Sequence, residues 1–155
     1  MKTAQPKPQP IAPYLCCKDA ARAIDFYKKA FGATEEMRFA EPSGRIGHAQ
    51  LRIGDAMFML SDEYPEMDVQ SPQSLGGSAV GIHIYVDDVD ALAKQAVAAG
   101  AELMRPVADQ FYGDRSAILK DPFGHRWFFA TRKEELSNEE LQKRYADLIS
   151  KQPQE

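Results

Sequence analysis

Residues 80–104 read VGIHIYVDDVDALAKQAVAAGAELM, and the way this stretch divides decides the fold. Ile82, Ile84 and Val86 alternate with His83 and Tyr85, the two-residue period of a strand with one aliphatic face and one mixed face. Asp88 then supplies an N-cap, and Val89, Leu92, Ala93, Ala96 and Val97 recur at the spacing of a single helical stripe. Gly100 ends the helix. The same order occurs earlier in PYLCCKDAARAIDFYKKAFGA, residues 13–33, where a short strand precedes an Asp19 cap. Ala23, Phe26, Tyr27, Ala30 and Phe31 form the stripe there and Gly32 the terminator. Asp19 and Asp88 lie 69 positions apart, Gly32 and Gly100 68. A one-residue adjustment superposes the two stretches, so the chain reads as an internal duplication.

Working outward, each helix is followed by three strand candidates. EEMRFAE, IGHAQLRIGD and AMFMLSDE follow the first, and ELMRPVA, RSAILKD and HRWFFAT the second, with DPFG as the turn before the last strand. The expected architecture is α+β, two βαβββ modules over residues 11–63 and 80–132. Residues 1–10 read as a flexible tail, 64–79 as an inter-module linker rich in Pro, Gly, Ser and acids, and 133–155 as a terminal helix and tail. Ser137 and Glu140 make a capping box for that helix, with Leu141, Tyr145 and Leu148 on one face.

Composition narrows the partners. The 155 residues carry 19 Lys plus Arg against 23 Asp plus Glu, a net charge of −4. With no basic run, neither nucleic acid nor an anionic membrane is expected. Cys16 and Cys17, the only cysteines, are neighbours on opposite faces of a strand and read as reduced thiols in the cytoplasm. The N-terminus has no apolar signal core, and no apolar run approaches the ~18 residues of a membrane span.

Alternation also sorts the strand faces. Ile11, Pro13, Leu15 and Cys17, then Ala49, Leu51 and Ile53, then Ile82, Ile84 and Val86 belong under the helices. The other face carries Tyr14, Cys16, His48, Gln50, His83 and Tyr85, a composition that suits an apolar site with a few polar anchors, or else a half-wet sheet surface.

The duplicated order, with YLCCKDAARAIDFYKKAFGA, HIYVDDVDALAKQAVAAGA and FYGDRSAILKDPFGHRWFFAT, resembles the vicinal oxygen chelate superfamily of glyoxalase I, bleomycin- and fosfomycin-resistance proteins and extradiol dioxygenases. GHAQLRIGDAMFMLSDE and DPFGHRW are most similar to its PhnB-like branch. The resemblance covers residues 11–132. It implies a glyoxalase-like fold whose curved mixed sheets surround a cavity between the modules, often in a homodimer, swapped or side by side. It also implies His and Glu metal ligands from the first and last strands of each module. Those positions fall at or beside Ala12, Met59, Gly81 and Phe128, and none of these side chains ligates a metal. No cofactor is therefore expected; the alternative is a divalent metal on His48 and His83, with Cys16 or Gln50 as a third ligand.

The expected function is the binding of a small organic molecule, without the usual metal, by Tyr14, Cys16, His48, Gln50, His83, Tyr85, Tyr112 and Phe128, with Arg115 as an anion clamp or as a structural partner of an acid. The alternative is a lyase, isomerase or dioxygenase-like enzyme with His83 as candidate catalytic base. Cys16 with a histidine is a further candidate nucleophile, and the mixed face a candidate dimer interface. His125 is expected to be a surface or turn-fixing group, and Trp127 and Phe129 to face the helices.

Overall fold

The structure is a computed structural model that describes residues 7–153. It divides into two compact units, one ending at Gly77 and the other beginning at Ser78. In the first unit the order is β1 (Tyr14–Cys17), α1 (Ala20–Phe31), β2 (Thr34–Ala40), β3 (Ile46–Ile53) and β4 (Ala56–Asp62). After the short helix α2 (Pro72–Leu75), the second unit runs β5 (Gly81–Tyr85), α3 (Val89–Ala99), β6 (Glu102–Asp109), β7 (Asp114–Lys120), β8 (Arg126–Arg132) and α4 (Asn138–Ser150). Each unit holds a four-stranded mixed sheet, ordered β1-β4-β3-β2 or β5-β8-β7-β6. The first strand of each module pairs parallel to its last, and the remaining pairs are antiparallel.

The capping chemistry behaves as the sequence demands. Asp19 accepts from Arg22 N and Asp88 from Ala91 N, both at 3.1 Å. Gly32 and Gly100 close their helices with φ of 67° and 119°, left-handed values that glycine adopts without a Cβ penalty. The helical stripes then bury, Ala23, Tyr27 and Ala30 of α1 and Ala96 of α3 having no exposed surface, except that Val97, at the edge of the α3 stripe in its last turn, stays 44% exposed. Against them lie Leu51, Leu60, Leu119 and Phe129 from the strands, also fully buried.

The repeat extends to details that alternation does not reveal. Asp62, at the end of β4, accepts from Ala20 N at 2.8 Å and from Ile46 N at 2.6 Å. Thr131, at the matching point of β8, accepts from Val89 N at 3.0 Å and donates to Val86 O at 2.9 Å. Each module thus holds the start of its helix with a side chain from its last strand, by a carboxylate in one and a hydroxyl in the other. Bulges also match, between Glu35 and Met37 in β2 and between Leu103 and Arg105 in β6.

Flanking segments are tied locally. The flexible tail expected over residues 1–10 lies outside the described residues up to residue 6. Gln9 is pinned to the sheet, donating to Met57 O at 2.9 Å and accepting from Met57 N at 3.1 Å. The linker is tied back to the first module by Glu63, which accepts from the hydroxyls of Ser71 and Ser74. Helix α4 starts at the Ser137 cap and docks through Arg144, which donates to Phe111 O and to both Glu134 oxygens at 3.1 Å. Among the described residues no helix is long and apolar enough to cross a membrane.

One ion cluster makes an acid-stability prediction. Glu35, on the helix side of β2, is held by Arg38 and Lys28 at 2.9 and 2.8 Å. The Arg38 bond first and the Lys28 bond second lower its carboxyl from 4.5 to about 2. A depressed folded-state pKa stabilises above the unfolded value and the effect is lost on acidification. Wild type should therefore lose about 1 kcal/mol more than Glu35→Gln between pH 4.5 and pH 2, after allowance for solvent screening. Urea melts at the two pH values measure it, and equal losses in both proteins would contradict it.

Candidate functional site

Strand pairing fixes which residues share the face turned away from the helices. In the first module one row runs Tyr14, Met59, Gln50, Met37, and the next sets His48 opposite Phe39 and Cys16 opposite Ser61. Tyr14 and Phe39 remain 53% and 62% exposed. The polar groups of the two rows form a relay: Tyr14 Oη lies 2.6 Å from His48 Nδ1, and His48 Nε2 lies 3.1 Å from Gln50 Oε1. Gln50 Oε1 only accepts, so Nε2 carries the proton. In the neutral ring Nδ1 then accepts from the phenol. Burial pushes the Tyr14 phenol above its ordinary value, which keeps it protonated as the donor. His48 is thereby oriented from both sides, with the Phe39 ring 5.8 Å from its centroid.

Cys16 shares this face but is a poor nucleophile. Burial, then the charges of Glu63 and Asp62, push its thiol up to about 11. At neutral pH it is a thiol, and a Cys-His nucleophile needs the thiolate.

In the second module the corresponding row is His83, Phe128, Ile118, Arg105, flanked by Gly81, Arg126, Lys120, Glu102 on one side and by Tyr85, Ala130, Ser116, Ala108 on the other. His83 packs edge-on against Tyr85 with centroids 5.0 Å apart. Tyr85 donates to Asp114 Oδ2 and accepts from Arg132 Nη2, both at 2.7 Å. The buried Asp114 also takes Arg132 Nε at 3.4 Å, and its hydrogen bond raises the Tyr85 phenol. Beyond this cluster Tyr85, Val86, Asp87, Thr131 and Arg132 line a depression of about 480 Å³, within the range of small-molecule sites.

Two expected site residues lie elsewhere. Arg115 pairs with Thr131 on the helix side, where it donates to both Asp90 oxygens at 2.8 and 2.9 Å and to Asp109 at 3.1 Å. Its fork is filled by protein carboxylates, which is the structural role and not the clamp; Arg132 is the guanidinium on the open face. Tyr112 sits in the turn between β6 and β7, edge-on to Phe111 and off both strand faces. His125 is only 7% exposed, so it is no surface group. Its turn is organised by Asp121, which accepts from Phe123 N, His125 N and Trp127 Nε1 at 2.9, 3.0 and 3.0 Å. Trp127 and Phe129 are buried under the helices as the alternation requires.

The family metal positions do not fit a cation. Met59 is a thioether on the apolar row, and the Phe128 ring covers Gly81. A Cβ built on Gly81 would overlap that ring at Cε2 and stand 2.8 Å from Cδ2. A ligating side chain at Gly81 is incompatible with this ring position. Among the described residues, no three His, Cys, Asp or Glu side chains cluster as a metal site.

The sequence reading missed Met37 and Phe39, which the β2 bulge brings beside Gln50 and His48, and it missed Arg132. The parity of β8, with Arg126, Phe128, Ala130 and Arg132 on one face, would have found Arg132.

The comparisons with known proteins agree with the fold. An uncharacterized protein of Mycobacterium bovis is 44% identical over 135 residues, covering 85% of this chain and 89% of the relative. The crystal structure of TioX from Micromonospora sp. ML1 is similar at a TM-score of 0.63 and 26% identity, covering 83% of this chain and all of that one. A PhnB protein from Bacillus cereus, at 18% identity, shares the fold with a TM-score of 0.61 over 79% of this chain and 99% of its own. The model of the glyoxalase/bleomycin resistance protein/dioxygenase superfamily matches residues 8–129, across both repeats. With its two βαβββ modules and a family match spanning both, this chain belongs to that superfamily.

Proposed function

We propose that the protein binds a small, partly aromatic organic molecule on the open faces of its sheets and does so without a divalent ion. The observation that carries this reading is the Tyr14–His48–Gln50 relay set among Met37, Phe39 and Met59. The Tyr14 phenol, both His48 ring nitrogens and Gln50 Oε1 satisfy one another, so the apolar part of a guest can cover them, and the Gln50 amide N–H groups are left to donate to a polar group on it. The thioethers and rings around them offer polarizable, adaptable contact. The ring of Phe128 over Gly81 supports the metal-free part of the proposal, since it fills a place the family gives to a ligand.

Pairing with a second copy and a cytoplasmic setting belong to the same reading. The exposed Tyr145, Leu148 and Ile149 of α4 support the first. Two cysteines outside any disulfide support the second.

The test is calorimetric titration of chelator-treated protein with Mn²⁺, Ni²⁺ and Zn²⁺, alongside a thermal-shift series of aromatic metabolites. The proposal expects no saturable metal site and at least one compound that raises the melting temperature, because a ligand specific to the native state stabilises it by mass action. Stoichiometric metal binding that is lost in His48→Ala or His83→Ala would overturn it.

A further inference from the structure

The open face of the second module carries a charge surplus that the fold does not use. Six arginines of the described chain, Arg38, Arg45, Arg52, Arg115, Arg132 and Arg144, hold carboxylates at 2.5 to 3.4 Å. Among the described residues, Arg105, Lys120 and Arg126 are in none of the ion pairs, although the chain as a whole is acidic, with a net charge of −4. The three fall on adjacent rows: Arg126 and Lys120 are paired neighbours on β8 and β7, and Arg105 stands opposite Ile118. Glu102, opposite Lys120, is the one carboxylate on those rows. Asp114, farther along β7, is already engaged by Arg132 and Tyr85. Beside the cations lie the Phe128 ring, with the Arg126 guanidinium 6.0 Å from its centroid, and His83 on the paired strand.

Aromatic surface bordered by uncompensated cations selects for flat molecules that bear a negative charge. The ring supplies area and stacking, and the guanidinium and ammonium supply charge-assisted hydrogen bonds to an acid. Lys120 is half-buried, so its attraction to an anion is less screened than that of a fully solvated lysine. We propose that Arg126 and Lys120, with Arg105 beside them, hold the acidic group of an aromatic anion whose ring lies against Phe128 and His83. This rests on the reading that the open faces receive an organic ligand, and it names the class: an aromatic carboxylate or phosphate. The first module offers no such selection, since Arg52 is committed to Glu36 at 2.5 Å.

The test compares two fluorescent probes with similar rings. 8-Anilinonaphthalene-1-sulfonate is anionic and N-phenyl-1-naphthylamine is neutral. In low-salt buffer the sulfonate should bind at least 10-fold tighter than the amine and lose that advantage in 1 M NaCl. Arg126→Gln and Lys120→Gln should each weaken the sulfonate about 5-fold and leave the amine within 2-fold; a circular-dichroism melt confirms that each variant is folded. Displacement by 2-naphthoate or by 2-naphthyl phosphate identifies the acid. If the amine binds and the sulfonate has no advantage, or the variants weaken both probes alike, the anion site is wrong and the organic-ligand reading survives. If neither probe binds, both fail. Displacement of the sulfonate by a deoxythymidine oligonucleotide and by neither naphthyl compound would overturn the proposal in favour of a nucleic acid.

Discussion

Replacing Asp121 with alanine is expected to lower the melting temperature by about 10 °C, the consequence of losing about 3–5 kcal/mol in a domain of this size. Asp121 is 3% exposed and serves three donors at once. Its Oδ1 takes Phe123 N and His125 N, which folds the turn, and its Oδ2 takes the indole N–H of Trp127. Alanine leaves all three without that acceptor, and unsatisfied buried donors cost more than the bonds were worth. Asp121→Asn separates the contributions. Its carbonyl can still serve the two backbone groups, but its NH₂ faces another donor at Trp127, so about half of the loss should return. Scanning calorimetry at pH 7 reads both variants. A shift of under about 2 °C for the alanine variant would mean that the DPFGHRW segment does not depend on this carboxylate.

Asp62→Ala should cost about 2–3 kcal/mol, and Thr131→Val about 1–2 kcal/mol, because a carboxylate accepting backbone N–H bonds outweighs a hydroxyl doing the same. The two residues hold the starts of α1 and α3 from the ends of β4 and β8. Asp62 also secures Ile46 N, at the start of β3, so its loss frees the first strand of the central hairpin as well as the helix. Hydrogen exchange should show the amides of Ala20 and Ile46 losing protection together in Asp62→Ala, with Val89 unaffected. In Thr131→Val the reverse holds. Equal losses of protection in both modules would contradict the reading of each repeat as its own capped unit.

Capping and alternation made most of the fold legible. Asp19, Gly32, Asp88 and Gly100 act through their own backbone and side-chain atoms, so their meaning survives without tertiary information. The faces of β3, β5 and β8, and of β1 from Tyr14 onward, followed for the same reason: regular strands keep the two-residue period, whereas Ile11, expected under the helices, precedes β1 and is 85% exposed. The misses lie where that period fails or where a charge has a choice of partners. The bulges in β2 and β6 shift Phe39, Met37 and Arg105 against their neighbours, and a bulge leaves no sign in a single sequence. Arg115 stands on the helix side of β7, one residue from Asp114 on the open side, and its partner Asp90 lies in the first turn of α3. Only the packing of that helix shows which face claims the guanidinium. His125 is buried because Asp121 draws the turn inward, a hydrogen-bond pattern that the letters DPFGH do not display.

The open faces are proposed to accept an organic guest with no help from a metal. Methyl correlation NMR of the protein in excess chelator, titrated with N-phenyl-1-naphthylamine, tests it most directly. Met37 and Met59 lie on the row with Tyr14 and Gln50, whereas Met67 lies in the linker and is 72% exposed. Saturable ring-current shifts are expected at the Met37 and Met59 methyls, unchanged when divalent ions replace the chelator, with Met67 still. Shifts confined to Met67, or shifts at Met59 that arise only after a divalent ion is added, would contradict it.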